Sequence, residues 1–323
     1  MKAIVQDSYG SADKLEFSDI DMPVPADDEV LIKVRAAGME PGVWHLMTGL
    51  PYMIRLGFGL RKPKARVKGS DVAGVVEAVG SSVTRFRPGD EVFGIANGSF
   101  AEYSTAEEKK LVHKPGNLTF EQAAALPISG LTALQAVRDK GEVEPGQKVL
   151  VIGASGGVGS LAAQIAKAHG ARVTGVCSTS KTDLVRSLGA DEVIDYTRED
   201  FADGARNWDV IIDTGGRRSL SHLRRALAPR GILVLVGGEG GGKLMGGFGR
   251  QIFRAPLLSI FVGQKLRWFV SPERQEDLEA LVDMAAAGKL TPAVDRTFQL
   301  PEAADAVRYW ESGRARGKVV VTV

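Results

Sequence analysis

The stretch VLVIGASGGVGSLAAQIAKAHG, residues 149–170, carries a strand, a turn and a helix in immediate succession. VLVIG (149–153) is an unbroken apolar run, as a strand covered on both faces reads. LAAQIAKAHG (161–170) has helical texture and closes on Gly170. Between them, counted against G-x-G-x-x-G, Ala154 takes the first glycine position, Gly156 the second and Gly159 the third. A small first residue permits the tight turn, the second lets backbone approach a pyrophosphate, and the third lets the helix pack closely on the sheet. A bound phosphate would meet backbone N–H groups and the positive end of the helix dipole. Such a turn can also be a plain connector. The flanking strand and helix select dinucleotide binding.

Working outward, RVTGVC (172–177), EVIDY (192–196), WDVIIDT (208–214) and ILVLVG (232–237) repeat the strand texture. Helical stretches at Lys181 to Leu188 and Ser219 to Leu227 separate them. Strands alternating with helices predict βαβ units and a parallel, doubly wound sheet. The first 125 residues read differently, as short strands (Lys2 to Val5, Glu29 to Val34, Asp71 to Val79) punctuated by Gly, Pro and Asp. Thr119 followed by Glu121 and Gln122 is a helix start. After the α/β segment come a helix near Glu273 to Ala287, another near Pro301 to Ser312, and a last strand from Lys318 to Val323. The expected fold class is α/β, with a β-rich domain that the C-terminus rejoins.

At the end of the second strand a dinucleotide site usually declares its cofactor. An acid there bonds a ribose 2′-hydroxyl. This chain has Ser178-Thr179-Ser180-Lys181 instead, and no acid until Asp183. Hydroxyls and a lysine suit a 2′-phosphate, so NADP is favoured over NAD, against the plainer reading of a solvated polar loop.

Composition narrows the class. The chain has 323 residues, with 41 Lys and Arg against 39 Asp and Glu. That balance gives no charge argument for nucleic acid. The single cysteine, Cys177, excludes an internal disulfide and any multi-thiolate zinc site. Asp7 interrupts the N-terminus before an apolar signal segment forms, and no apolar run approaches the ~18 residues needed to span a bilayer. A cytoplasmic protein is expected.

Several segments together resemble the medium-chain dehydrogenase/reductase superfamily. They are Gly69-Ser70-Asp71-Val72-Ala73-Gly74 with the strand that follows, Arg87-Pro88-Gly89-Asp90-Glu91-Val92-Phe93-Gly94, Phe100-Ala101-Glu102-Tyr103, Leu131-Thr132-Ala133, and Gly317-Lys318-Val319-Val320. The similarity is to its zinc-less, zeta-crystallin-like quinone oxidoreductase group. It implies a GroES-like catalytic domain at 1–125 completed by 266–323, a Rossmann NADP-binding domain at 126–265, and an active site in the cleft between them. It also implies cofactor contacts at Thr132, Ala154, Ser155, Gly156, Gly157, Val158, Ser178, Thr179, Lys181, Tyr196, Gly215, Val236, Gly237, Phe269, Val270 and Lys318.

Zinc members of the superfamily carry Gly-His-Glu where this chain has Gly69-Ser70-Asp71. The ligand cysteines fall at Glu40 and near Ile128, and no four-cysteine lobe follows Gly89-Asp90. No metal is expected. A metal would polarise a carbonyl by several kcal/mol. Without one, quinones and α,β-unsaturated carbonyls are the easier hydride acceptors, because their reduced anions are delocalised.

On the substrate side, Glu40-Pro41-Gly42-Val43 aligns with the family's Asn-Pro-Val-Asp/Glu loop; Pro41 matches, while Glu40 and Val43 depart from it. Candidate catalytic residues are Glu40, His45 and Tyr52. Glu40, if desolvated, would stay protonated and donate to a substrate oxygen; a carboxylate paired with a base is the alternative. His45 would donate to a carbonyl or to the nicotinamide ribose, or simply lie at the surface. Tyr52 is either a site aromatic or an ordinary loop residue.

The basic, apolar loop from Met53 to Lys68 suits anionic lipid, but a solvated lid is the favoured reading. The apolar run from Phe248 to Phe261 reads as a lid or a dimer surface. The expected activity is zinc-independent, NADPH-dependent hydride transfer to a quinone or other activated carbonyl. Enone or enal reduction, or a non-catalytic NADPH-binding sensor, are the alternatives. A homodimer is implied by the resemblance.

Overall fold

The computed structural model describes residues 1–237, 242–247 and 253–323. The glycine cluster from Gly237 to Gly249 and the run from Phe248 to Phe261 therefore fall partly outside the described residues.

In chain order the first part holds β1 (Lys2–Val5), β2 (Glu16–Asp19), β3 (Glu29–Met39), α1 (Pro41–Thr48), α2 (Arg55–Phe58) and β4 (Asp71–Val79). It continues with β5 (Glu91–Ile95), β6 (Tyr103–Glu107), β7 (Leu111–His113), α3 (Phe120–Ala124) and α4 (Pro127–Gln135). The middle holds β8 (Lys148–Ile152), α5 (Gly157–Ala168), β9 (Arg172–Cys177), α6 (Thr182–Ser187), β10 (Glu192–Asp195) and β11 (Trp208–Asp213). Then come α7 (Leu220–Ala226), β12 (Leu227–Leu235), α8 (Ala255–Ser259) and β13 (Lys265–Trp268). The chain closes with α9 (Gln275–Ala286), β14 (Val294–Gln299), α10 (Ala303–Glu311) and β15 (Lys318–Thr322).

Two compact units result. One comprises 1–131 with 273–323, the other 132–272. The boundaries expected after residues 125 and 265 therefore shift. β13 pairs in parallel with β12, so the middle unit must extend past it. The start of α4 stays with the first unit because Asp71 Oδ1 accepts the Ile128 N–H at 2.9 Å.

The first unit is a seven-stranded sheet in the order β14-β15-β3-β4-β5-β7, with β6 also pairing β3, plus the β1-β2 hairpin. Its eleven-residue β3 serves three partners: β15, β4 and β6. Both chain ends build this unit because one core needs both. Ile4, Met39, Met47 and Phe100 pack with Leu300, Val307 and Val319, and burying such side chains contributes roughly 1.5–3 kcal/mol each. The expected helix start at Thr119 is present, closed by a capping box: Thr119 Oγ1 accepts the Gln122 N–H and Gln122 Oε1 accepts the Thr119 N–H.

The second unit is a six-stranded sheet in the order β10-β9-β8-β11-β12-β13, all parallel. The α/β class and the doubly wound sheet are as the sequence predicts. Strand order reverses between β8 and β11, so the loops after their carboxyl ends flank a switch point, where ligands bind in such sheets. Among the described residues no helix is long and apolar enough to cross a membrane.

Candidate active site

The turn from β8 into α5 is built by glycines with separate tasks. Gly153 adopts φ 80°, and a Cβ there would sit 2.6 Å from Thr214 Oγ1. At Gly159 a Cβ would lie 2.1 Å from the Gly153 carbonyl oxygen, so the third glycine lets the helix start against the turn itself. Gly156 differs: its Cβ would meet only the Gly153 oxygen, at 3.4 Å, leaving its outer side open. Gly156 is also the N-cap of α5, and no side chain caps that end. The first-turn N–H groups of Gly157 and Val158 thus point out of the helix without a capping partner, the condition for holding a pyrophosphate. Ala154 has another role than the cofactor contact expected of it. Its side chain is fully buried and its N–H donates to the Val176 carbonyl at 3.1 Å, so it packs the turn.

The remaining expected cofactor residues of this unit gather at the carboxyl ends of its strands. Ser178 to Lys181 follow β9, Tyr196 follows β10, Gly215 follows β11, Val236 and Gly237 follow β12, and Phe269 and Val270 follow β13. The N–H groups of Val236 and Gly237 both donate to the Asp213 carbonyl, at 3.0 Å each. Thr132 lies within α4, at the first position of this unit.

One acid escaped the sequence reading. Parallel register sets Asp195 beside Cys177, at the end of the strand neighbouring β9. The Thr179 hydroxyl donates to Asp195 Oδ2 at 2.5 Å, and Thr197 donates to Oδ1 at 2.7 Å. The Thr179 bond, followed by Thr197, holds the Asp195 carboxyl below its usual range. Thr179 has a single proton, so it cannot also donate to a 2′-phosphate; its task is to tie down Asp195. Arg218 was likewise missed. Its guanidinium lies 6.0 Å from the Tyr196 ring, on the rim where that ring is half exposed. The fragment Asp195-Tyr196 was legible as a strand end; its neighbour across the sheet was not.

In the first unit Glu40 is a helix cap. Oε2 accepts the Gly42 N–H at 2.5 Å and Oε1 the Val43 N–H at 3.0 Å, with Pro41 at the first helical position. The side chain is 3% exposed. Burial, then the Asp71 charge, pushes its carboxyl up to about 7. The donor role expected for Glu40 is corrected on geometry: both oxygens face backbone donors. The sequence signal was the acid before Pro41, a helix start read as a loop.

His45 Nδ1 lies 2.6 Å from the Leu50 carbonyl oxygen and therefore carries its proton there. Burial lowers the pKa of the ring, so the neutral form has Nε2 as acceptor. Donation from Nε2 to a carbonyl or to the nicotinamide ribose, as the sequence suggested, would need the disfavoured cation. Tyr52 is 45% exposed with the Arg55 guanidinium 4.7 Å from its ring centroid.

Lys318 also departs from expectation. Its ammonium is buried, 3.0 Å from Asp71 Oδ2 and 3.1 Å from Ser129 Oγ, inside the first unit. It is an internal counter-charge rather than a reaching cofactor ligand.

Residues 26–116 match the family described as alcohol dehydrogenase GroES-like domain, and residues 188–321 the family described as zinc-binding dehydrogenase. The chain is 37% identical to a 2-methylene-furan-3-one reductase of Solanum lycopersicum over 99% of its own length and 79% of that protein. The chain belongs to the medium-chain dehydrogenase/reductase superfamily. Within that superfamily it falls in the quinone oxidoreductase group. It is 36% identical to a chloroplastic NADPH-dependent alkenal/one oxidoreductase of Arabidopsis thaliana, with 99% and 79% of the two chains covered. A solved quinone oxidoreductase from Coxiella burnetii superposes with TM-score 0.85 at 31% identity, covering 100% and 99%.

The second family description raises zinc, and the side chains do not fit it. Glu40 is engaged by two backbone donors, and Asp71 already faces the Lys318 ammonium. Ser70 and Ile128 are poor ligands for zinc, which favours Cys, His, Asp and Glu. Among the described residues no group of three or more His, Cys, Asp or Glu is placed to hold a metal ion.

Proposed function

We propose that this reductase transfers a hydride from NADPH to a quinone or to the activated double bond of an enone. The observation that carries the reading is the open, uncapped Gly156–Val158 turn at the switch point of the parallel sheet, with Lys181 beyond the next strand. NADPH supplies the hydride when bound. The Gly157 and Val158 N–H groups hold the pyrophosphate, Lys181 faces the 2′-phosphate, and Ser178 and Tyr196 complete that pocket. Thr179, bonded to Asp195, fixes the loop beneath it. Val236, Gly237, Phe269 and Val270 provide the wall toward the nicotinamide end.

Because the residues at the ligand positions do not suit zinc, the reading favours acceptors whose reduced anion spreads its own charge. The protein's contribution is then orientation and exclusion of competing reactions. The enone reading draws specific support from the two relatives named as reductases of a methylene-furanone and of alkenals and enones.

NADPH oxidation with a matched panel of quinones, enals and enones tests the proposal. Turnover on either class supports it and assigns the substrate. NADPH binding without turnover on any member would leave the sensor reading standing. A homodimer belongs to the same proposal. Among the described residues no strand lies beyond β13 in the six-stranded sheet, an edge that a second copy can extend, and light scattering measures it. A cytoplasmic location is proposed too, consistent with one buried cysteine, Cys177, whose thiol is pushed up to about 11 by burial; imaging of the tagged chain is the check.

A further inference from the structure

Between Glu40 and Asp71 the chain contains no acid, yet it carries Arg55, Arg61, Lys62, Lys64, Arg66 and Lys68. Lys68 is buried, donating to the Ala65 carbonyl, and Arg55 lies between the Tyr9 and Tyr52 rings with its Nε on the Gly49 carbonyl. The other four cations are exposed. Arg66 is paired with Asp7 across the surface. Among these cations the chain displays its outward apolar side chains: Leu56 is 78% exposed, Leu60 67% and Phe58 52%.

The exposure is not that of a loose loop. The Tyr9 hydroxyl donates to the Gly59 carbonyl at 2.6 Å, and the Lys64 N–H donates to the Phe58 carbonyl at 2.9 Å. Gly59 adopts φ 117°, and a Cβ there would lie 2.1 Å from the Lys62 carbonyl oxygen, so the turn itself depends on glycine. The backbone of residues 55–64 is tied by polar contacts while three large apolar side chains are left in solvent. Nothing in the fold of the first unit uses them.

We infer that this loop docks the protein onto an anionic lipid bilayer, with Leu56, Phe58 and Leu60 entering the interface and Arg61, Lys62 and Lys64 facing the headgroups. Charge complementarity selects the occupant. An acid-free basic segment attracts anionic headgroups, and apolar tips between the cations gain by leaving water. The inference does not depend on the proposed reaction, since it concerns side chains outside the proposed site.

The test is co-sedimentation of the purified full chain with vesicles of phosphatidylcholine and phosphatidylglycerol at 7:3, against phosphatidylcholine alone, in low salt. Binding is expected on the anionic vesicles only. Each basic residue near the surface is worth about fivefold in partitioning, so Arg61→Glu with Lys62→Glu should lower it by about 25-fold or more. Leu56→Ser with Phe58→Ser and Leu60→Ser should lower it at least about tenfold. Arg87→Glu with Lys109→Glu makes the same charge change elsewhere on this unit and should leave most binding intact. Phe58→Trp reports insertion directly, through a blue-shifted emission quenched by brominated lipid. No sedimentation of wild type with anionic vesicles overturns the inference. So do equal losses in the Arg87/Lys109 control, or an unshifted, unquenched emission from the bound Phe58→Trp chain.

Discussion

Two glycines three residues apart should fail in opposite ways when given a methyl group. At Gly159 the added Cβ would lie 2.1 Å from the Gly153 oxygen and 2.7 Å from its carbonyl carbon. Both are backbone atoms of a turn anchored by the Gly153 and Ala154 N–H groups to the Val176 carbonyl, so relief requires moving the turn or the helix. Overpacking of that kind costs roughly 1–3 kcal/mol or more, which lowers an unfolding midpoint by roughly 2–12 °C for a domain of this size. At Gly156 the methyl would touch the Gly153 oxygen at 3.4 Å and nothing else, and φ −87° with ψ 175° is open to alanine. Losing a glycine N-cap is offset in part by a less flexible unfolded chain, so the net change should stay within about 1 kcal/mol. The same methyl, however, projects where the pyrophosphate must approach. Gly156→Ala should weaken NADPH by roughly tenfold to a hundredfold, about 1.4–2.7 kcal/mol. The assay is thermal unfolding without cofactor beside an NADPH fluorescence titration. A Gly156→Ala chain that binds NADPH like wild type would refute the cradle, whatever its stability.

Lys181→Ala should weaken NADPH about tenfold to a hundredfold by removing a charge-assisted bond, and leave NADH nearly unchanged; titration of both cofactors decides it. Lys318→Met strands the fully buried Asp71 without its counter-charge and should cost about 3–5 kcal/mol in denaturant unfolding, much of it recovered by adding Asp71→Leu. For Glu40 the folded carboxyl titrates near 7 against an ordinary 4.5. Its raised value means that stability is full below about pH 4.5 and falls until pH 7, by about 3 kcal/mol in all. Unfolding curves across that window should slope down for wild type and flatten in Glu40→Gln. Elemental analysis of chain purified without chelator should find no stoichiometric zinc; tightly held zinc required for activity would overturn the metal-free reading.

Much of this protein is written locally. The apolar run of β8, the glycines after it and Gly170 at φ 81° each act within a few residues, through turn conformation and helix periodicity. That is why β9 at Arg172–Cys177 and β4 at Asp71–Val79 match the ranges read from sequence alone. The absence of an acid after β9, and of cysteines at the ligand positions, was equally plain. What sequence could not carry was proximity between distant segments. Sheet register brought Asp195 to Thr179 and took that hydroxyl away from any phosphate. The fold placed Lys318 against Asp71, 247 positions away, and turned an expected cofactor ligand into an internal ion pair. Burial turned Glu40 inward as a cap and left His45 neutral with its proton on Nδ1. Patterns of conformation are set by neighbours along the chain. Desolvation and ion pairing depend on neighbours in space, and only the folded chain supplies those.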